Sequence, residues 1–438
     1  MRGTLNPLAN DPGKVQNKAL AEISLTPTDE PVMTVSVSVP STSAKATAMI
    51  LLISVAHGTT HFAGQGFYNV IPYIQQELNL SYTQAGIFGF IAQVSGIVAN
   101  IGGAPLVDMT GKRILFMVVA LAICAVGFFA IGFASTYIFI CSMLVITGTC
   151  ISMWHPPAIS FLSSEFAERR GFAIAMHGTG ASLGDTMAPL AAGALLTWVS
   201  WRGTAMGLAL PMLAFSAIML VTLIGRDTTP PGQAKRGVSF KDYVSGINAM
   251  VRRPVVAGLC LVAGLRSVAQ VGLTLFLPLY LVNELKFDPL KTGFAMTGLF
   301  IGGIIAAPIL GVLSDRIGRR PVVMGGVGAS TVVIIALTLI EDPIVFVSAV
   351  SILGFVLFAI RPVMHSWLMD ITPREMGGSA TGLMFSTQYV FAMFMSLSGG
   401  IIADIYGLVA VFYMLAGSML LANIAIAFMP KEDAADRA

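Results

Sequence analysis

Apolar positions gather along this chain into twelve long stretches, at about 47–75, 82–106, 114–134, 136–163, 171–197, 203–225, 254–283, 292–313, 321–340, 343–369, 377–403 and 406–429. Each approaches or exceeds the roughly 20 residues a helix needs to cross a hydrocarbon core. In lipid the backbone must satisfy its own hydrogen bonds, and a helix does so within one segment. The pattern predicts an all-α membrane protein of twelve transmembrane helices. Residues 1–46 are polar, rich in Ser, Thr and Pro, and without the charged start and apolar core of a signal peptide. They are expected to be a disordered cytoplasmic tail. The one long polar interruption, 226–253, carries the helix-breaking Pro230-Pro231-Gly232 and a short amphipathic stretch at Ser239 to Met250. It reads as a cytoplasmic linker between two six-helix bundles, 47–225 and 254–430, with 431–438 a second cytoplasmic tail.

The two bundles repeat one another. Ala104-Pro-Leu-Val-Asp108-Met-Thr-Gly111-Lys112-Arg113 follows the second stretch, and Gly311-Val-Leu-Ser-Asp315-Arg316-Ile-Gly318-Arg319-Arg320 stands 207 positions later, after the eighth. Pro72 followed by Glu77-Leu78 has its counterpart in Pro278 followed by Glu284-Leu285, at an offset of 206 or 207. Glu168-Arg169-Arg170-Gly171 is echoed by Arg374-Glu375-Met376-Gly377. Duplicated halves are how many secondary transporters build a substrate site at the repeat interface.

Composition agrees and narrows the class. Of 438 residues, 55% are hydrophobic and 11% charged, against about 25% charged in soluble domains. Of the 25 Lys and Arg, only Arg202, Lys286 and Lys291 fall in loops after odd-numbered spans, and Arg266 and Arg361 lie inside spans. The rest occupy the tails and the even-numbered loops, which places both termini in the cytoplasm. No basic patch suits nucleic acid. Neither a Walker motif nor a nucleotide loop is present, so ATP-driven transport is not expected. Without a nucleophile–base pair or HExxH, the chain does not read as an enzyme, and no cofactor is implied. The four cysteines, Cys124, Cys141, Cys150 and Cys260, lie in spans without CxxC spacing and read as packing residues.

The loop motif carries a resemblance. From about 47 to 430 the chain resembles the major facilitator superfamily, marked by G-x-x-x-D-(R/K)-x-G-(R/K)-(R/K) after spans 2 and 8. Gly311, Asp315, Arg316, Gly318, Arg319 and Arg320 match in full. Asp108, Gly111, Lys112 and Arg113 match in the first copy, which has Ala104 and Met109 in place of Gly and a base. The resemblance implies two pseudosymmetric six-helix bundles, a central cavity opened alternately to each side, and a working monomer. The motif itself is read as a gating latch and topology anchor. Gly184, Pro189 and Gly193 in span 5 resemble the Gly-rich stretch of antiporters of this superfamily, with Ala188 and Ala192 for two glycines, and read as a helix hinge or packing seam. Trp154-His155-Pro156-Pro157, Arg169-Arg170-Gly171 and the His pair of span 1 are similar to the fosmidomycin-resistance exporters, which usually carry Asp where this chain has His61.

Ionisable groups within a membrane are costly and usually face a cavity or a partner. All five histidines, His57, His61, His155, His177 and His365, lie in predicted spans. His57, His61 and Gln65 form one stripe at i, i+4, i+8, and Arg266, Gln270 and Thr274 repeat that spacing in span 7. Asp185 is the one carboxylate near the middle of a span; its expected partners are a proton, His177 or another helix. Arg361 and His365 share a face of span 10. Trp154, Phe276, Tyr280 and Tyr389 are candidate cavity aromatics.

These residues, as a substrate and proton site, point to a proton-coupled secondary transporter in the bacterial inner membrane. It is expected to be an exporter rather than an importer, and to carry a small organic anion or drug-like molecule. The two arginines, with their planar forks, suit an anionic group. Two alternatives stay open. One is a carrier of a transition metal or metal complex, such as iron, ligated by His57 and His61 with His155, His177 or Asp185 completing the set. The other is a transporter-derived sensor that binds without flux.

Overall fold

The computed structural model describes residues 44–225, 248, 250–372 and 376–430, and the side chains at 100–106, 108 and 109 lie outside that description. The expected tail, apart from Ala44–Ala46, most of the linker with its amphipathic stretch, Arg374-Glu375, and residues 431–438 also lie outside it. Among the described residues every regular element is a helix. The N-terminal half holds α1 (Ala44–Leu78), α2 (Tyr82–Thr110), α3 (Arg113–Ile131), α4 (Tyr137–Met153), α5 (His155–Glu165), α6 (Arg170–Trp198) and α7 (Trp201–Leu223). The C-terminal half holds α8 (Pro254–Asn283), α9 (Pro289–Ile317), α10 (Arg319–Leu337), α11 (Pro343–Phe358), α12 (Ile360–Asp370), α13 (Gly377–Tyr406) and α14 (Leu408–Phe428). The internal repeat is visible in the lengths: α2 and α9 have 29 residues each, α3 and α10 19, α5 and α12 11.

The sequence sets the breaks locally. Ser81 and Gln84 form a capping box at the start of α2, and Asp288 caps α9 through the Lys291 N–H at 2.8 Å, ahead of Pro289. Gly111 at φ 66° and Gly318 at φ 97° turn the chain in the two basic loops, a conformation that suits residues without a Cβ. Predicted spans 4 and 10 are each two helices. Span 4 breaks at Trp154, ahead of Pro156 and Pro157, and span 10 at Ala359, ahead of Pro362. Proline has no N–H to give and crowds the carbonyls of the preceding turn, but it fits the first turn of a new helix.

With each broken pair taken together, eleven helical spans are long and apolar enough to cross a membrane. The twelfth, α6, is 29 residues long but falls short in apolarity. Its composition has a reason: α6 is lined with Gly, Ala, Thr, His and Asp because it packs against α1 on one side and α9 of the other half on another. Large apolar side chains such as Ile138, Val221, Ile344 and Phe428 point outward, as a lipid-facing belt requires.

The halves meet through α2 on α13 and α6 on α9. Among the described residues, their side-chain links gather toward the end that carries the odd-numbered loops. Asn283 donates to Gln75 Oε1 at 2.7 Å, and Gln76 donates to Asn283 Oδ1 at 2.9 Å. The Asp404 carboxylate accepts from the backbone N–H groups of Tyr82 and Thr83 at 2.8 and 2.9 Å. Thus α13 of one half caps α2 of the other, where the dipole favours a negative charge. Deeper in, Thr297 donates to the Thr186 carbonyl at 3.2 Å.

Candidate functional site

The site of the N-terminal half begins with glycine. A Cβ on Gly180 would lie 1.9 Å from the Ser54 carbonyl oxygen, and one on Gly184 would lie 2.1 Å from that of Gly58. Only hydrogen at these positions lets α6 lie backbone to backbone on α1. Gly184 thus serves a packing seam, and Gly193 serves the second seam of α6, where a Cβ would lie 2.5 Å from the Pro289 carbonyl. The helix runs unbroken through Pro189.

That contact brings four histidines and one carboxylate together. His61 Nδ1 lies 3.0 Å from Asp185 Oδ1. The rings of His57 and His177 stack at 3.8 Å with an interplanar angle of 6°. The break after α4 delivers His155 to the same place: its Nε2 is 3.2 Å from His57 Nε2. His57 and His177 are buried, and His61 and His155 are partly open. Trp154 is fully buried behind the cluster, its ring parallel to His57 at 6.3 Å.

The C-terminal half supplies cations. Arg266 is buried to 1% exposure; one Nη donates to Gln388 Oε1 at 3.3 Å and the other has no partner. Arg361 is exposed and sits over the Phe385 ring at 5.8 Å, while His365 stacks on the same ring and reaches Thr381 Oγ1 at 3.4 Å. Arg361 lies within charge–charge reach of Arg266 and of His155 in the other half. Neither arginine forms an ion pair among the described residues. Asp185 is taken by His61 and Asp370 by Arg319, at 3.0 Å in each case.

His57 and His61 turn toward α5 and α6, while Gln65 is buried one turn further on with its Nε2 unpartnered. Gln270 is half-buried. Of the candidate aromatics, Trp154, Phe276 and Tyr280 belong to the packed core rather than a cavity wall, and Tyr389 is partly open beside Gly96. Gln388, Phe385, Asn283 and Asp404 take part in the site or its closure without any sequence signal beyond being polar or aromatic.

The basic loops tie each half to itself. Arg319 pairs with Asp315 and Asp370 and donates to Ser314 Oγ at 2.6 Å. Arg320 donates to the Ile426 and Ala427 carbonyls, capping α14. Arg316 is exposed, and Gly311 faces open space. In the first copy Arg113 donates to Ser164 Oγ at 2.7 Å and Lys112 is exposed, while the Asp108 side chain lies outside the described residues.

A duplicated helical bundle that keeps ionisable groups inside its apolar spans is the build of a membrane transporter. The family model for the Major Facilitator Superfamily matches residues 53–291 and 259–438, and the chain belongs to that superfamily. The chain is 24% identical over 407 residues to the multidrug efflux pump Tap of Mycolicibacterium fortuitum, covering 87% of this chain and 96% of that one. It is also 24% identical over 317 residues to the probable nitrate/nitrite transporter NarK2 of Mycobacterium tuberculosis, covering 70% and 77%. The fold is similar to the crystal structure of a bacterial homologue of the human lysosomal transporter Spinster, inward-facing and unoccupied, with a TM-score of 0.70 at 15% identity over 88% of this chain and 96% of that one. The protein is an integral membrane transporter of small molecules and not an enzyme.

Proposed function

We propose that this protein exports a small organic anion, or a drug-like molecule with an anionic group, in exchange for protons. The observation that carries the reading is the arginine pair of the C-terminal half: Arg361 is exposed, Arg266 is buried with one Nη unpartnered, and among the described residues no carboxylate pairs with either. Leaving a buried arginine half-satisfied is costly, and a planar carboxylate or phosphonate fits its fork. That NarK2 is named for an anion, and Tap for drug efflux, supports the class without fixing the molecule. The proton in this reading loads the His61–Asp185 pair. Both termini are placed in the cytoplasm of a cell with this protein in its inner membrane. In this reading alternating access requires the Asp404 and Asn283 links at the odd-loop end to part.

The test is reconstitution of the whole chain into liposomes that hold a pH-sensitive dye. Carboxylates and phosphonates are expected to drive proton movement that Arg361→Gln removes. A signal from lipophilic cations alone would sink the anion reading, and binding without flux would make the protein a sensor.

A further inference from the structure

We infer that His57, His155 and His61 form a transition-metal site inside the N-terminal half. The starting point is a conflict of lone pairs. His57 Nδ1 lies 2.9 Å from the carbonyl oxygen of His177, and His155 Nδ1 lies 3.1 Å from that of Ile151. A carbonyl only accepts, so each Nδ1 carries its ring proton. The Nε2 of a neutral imidazole so protonated is an acceptor. Yet the two Nε2 atoms face each other at 3.2 Å. Two lone pairs brought that close repel unless a cation lies between them.

A metal ion resolves the conflict with the geometry present. Zinc–imidazole bonds are about 2.0–2.1 Å, so a tetrahedral centre spaces its ligand nitrogens about 3.3 Å apart. His57 and His155 already stand at that separation. The third ligand is His61, one turn along α1 from His57; the three residues bring one ligand atom each to within 4.8 Å of one another. Its Nδ1 is engaged by Asp185 at 3.0 Å, which leaves Nε2 as its ligating nitrogen. Ligating histidines almost always give their other N–H to a carbonyl or carboxylate. Here all three have such an acceptor: the carbonyls of His177 and Ile151, and the carboxylate of Asp185.

The surroundings decide the class of ion. Three neutral imidazoles select a borderline divalent ion such as zinc, cobalt or nickel over calcium or magnesium. Asp185 supplies a negative charge at the edge of the site, and Arg361 of the other half is near enough to His155 to add a repelling positive one. Three protein nitrogens leave a fourth position open, so the ion is held to exchange rather than locked in. The site does not depend on the anion reading: Arg361→Gln removes an opposing charge and is expected to leave metal binding intact or tighter.

The experiment is cobalt(II) titration of the purified full chain, carrying no histidine tag and followed by visible absorption. We expect one equivalent with the intense bands of four-coordinate cobalt, at least tenfold weaker binding in His57→Gln and His155→Gln, and no change in His365→Gln. Should those variants fail to fold, X-ray absorption of the zinc-loaded wild type is expected to count three imidazoles. No uptake would mean that the two Nε2 atoms share a proton instead. That result, unchanged binding in His57→Gln and His155→Gln, or an all-oxygen shell overturns the site.

Discussion

His155 and Arg361 occupy equivalent places in the two halves, 206 residues apart, each directly followed by a proline at the start of the second segment of a broken span. The same backbone device presents a ring nitrogen in one half and a fixed cation in the other. Each break starts a new helix whose first turn carries the side chain: His155 meets His57 within its own half, and Arg361 sits over Phe385. From there the asymmetry builds outward: histidines and Asp185 gather around His155, and Arg266, Phe385 and Gln388 around Arg361. Duplication gave the scaffold, and substitution at paired positions gave the two halves different chemistry.

Arg361→Gln is expected to weaken transport of an anionic substrate more than any change on the cluster side. A hydrogen bond to a charged group contributes about 1.5–3 kcal/mol, so the loss corresponds to a KM raised roughly ten- to hundredfold. Uptake by inverted vesicles across a substrate series checks this, and a neutral analogue should lose little. Arg266→Gln should lower kcat and KM affinity together, because this guanidinium also holds Gln388.

Asp185→Asn is expected to uncouple the protein. The His61 contact at 3.0 Å survives as a neutral hydrogen bond, so substrate should still bind and exchange across the membrane. Net movement driven by a pH gradient should stop. Counterflow of labelled substrate, compared with pH-driven uptake in the same vesicles, separates the two. Loss of both would make Asp185 a structural residue rather than a coupling one.

Much of this architecture was legible in the sequence. The spans, the twofold repeat and the basic turns follow from apolar run length and from the spacing of Gly, Asp and Arg. His57 and His61 declared themselves by helical spacing alone. The rest of the cluster stood out as ionisable residues within spans, but not in its arrangement: His177 and Asp185 reach α1 through the Gly180 and Gly184 contacts, between segments some 125 residues apart, and His155 arrives through the break after α4. The break at Trp154 was written in Pro156-Pro157, yet the apolar run hid it. Asp404 left no trace: an acidic residue near a helix end looks like any membrane-boundary charge until its partner, the N-terminus of α2, is in view.

Gly184→Ala tests the seam that assembles the site. The added methyl would meet the Gly58 carbonyl oxygen at 2.1 Å, while Gly178→Ala, with nothing within 4 Å, adds the same atom to open space. Overpacking of this kind costs about 1–3 kcal/mol, so Gly184→Ala should lower the melting temperature in detergent by several degrees and the control should not. Because α6 must move off α1, the His61–Asp185 pair should also part, and pH-driven transport should fall along with stability.

Asp404→Ala tests the closure. Its carboxylate caps α2 from the opposite half, so it stabilises only the conformation in which the odd-loop end is shut. A charge at an exposed helix N-terminus contributes about 0.3–1 kcal/mol, and loss of the cap hydrogen bonds adds to that. The expected result is a shift of about two- to tenfold toward the state open at that end. Spin labels on the loops after α1 and α8 should report a longer separation in the variant, with the wild-type distance restored in part by Asp404→Asn. If the distance distribution is unchanged, the odd-loop end is held by the α2–α13 and α6–α9 packing seams alone, and Asp404 is a cap without a role in gating.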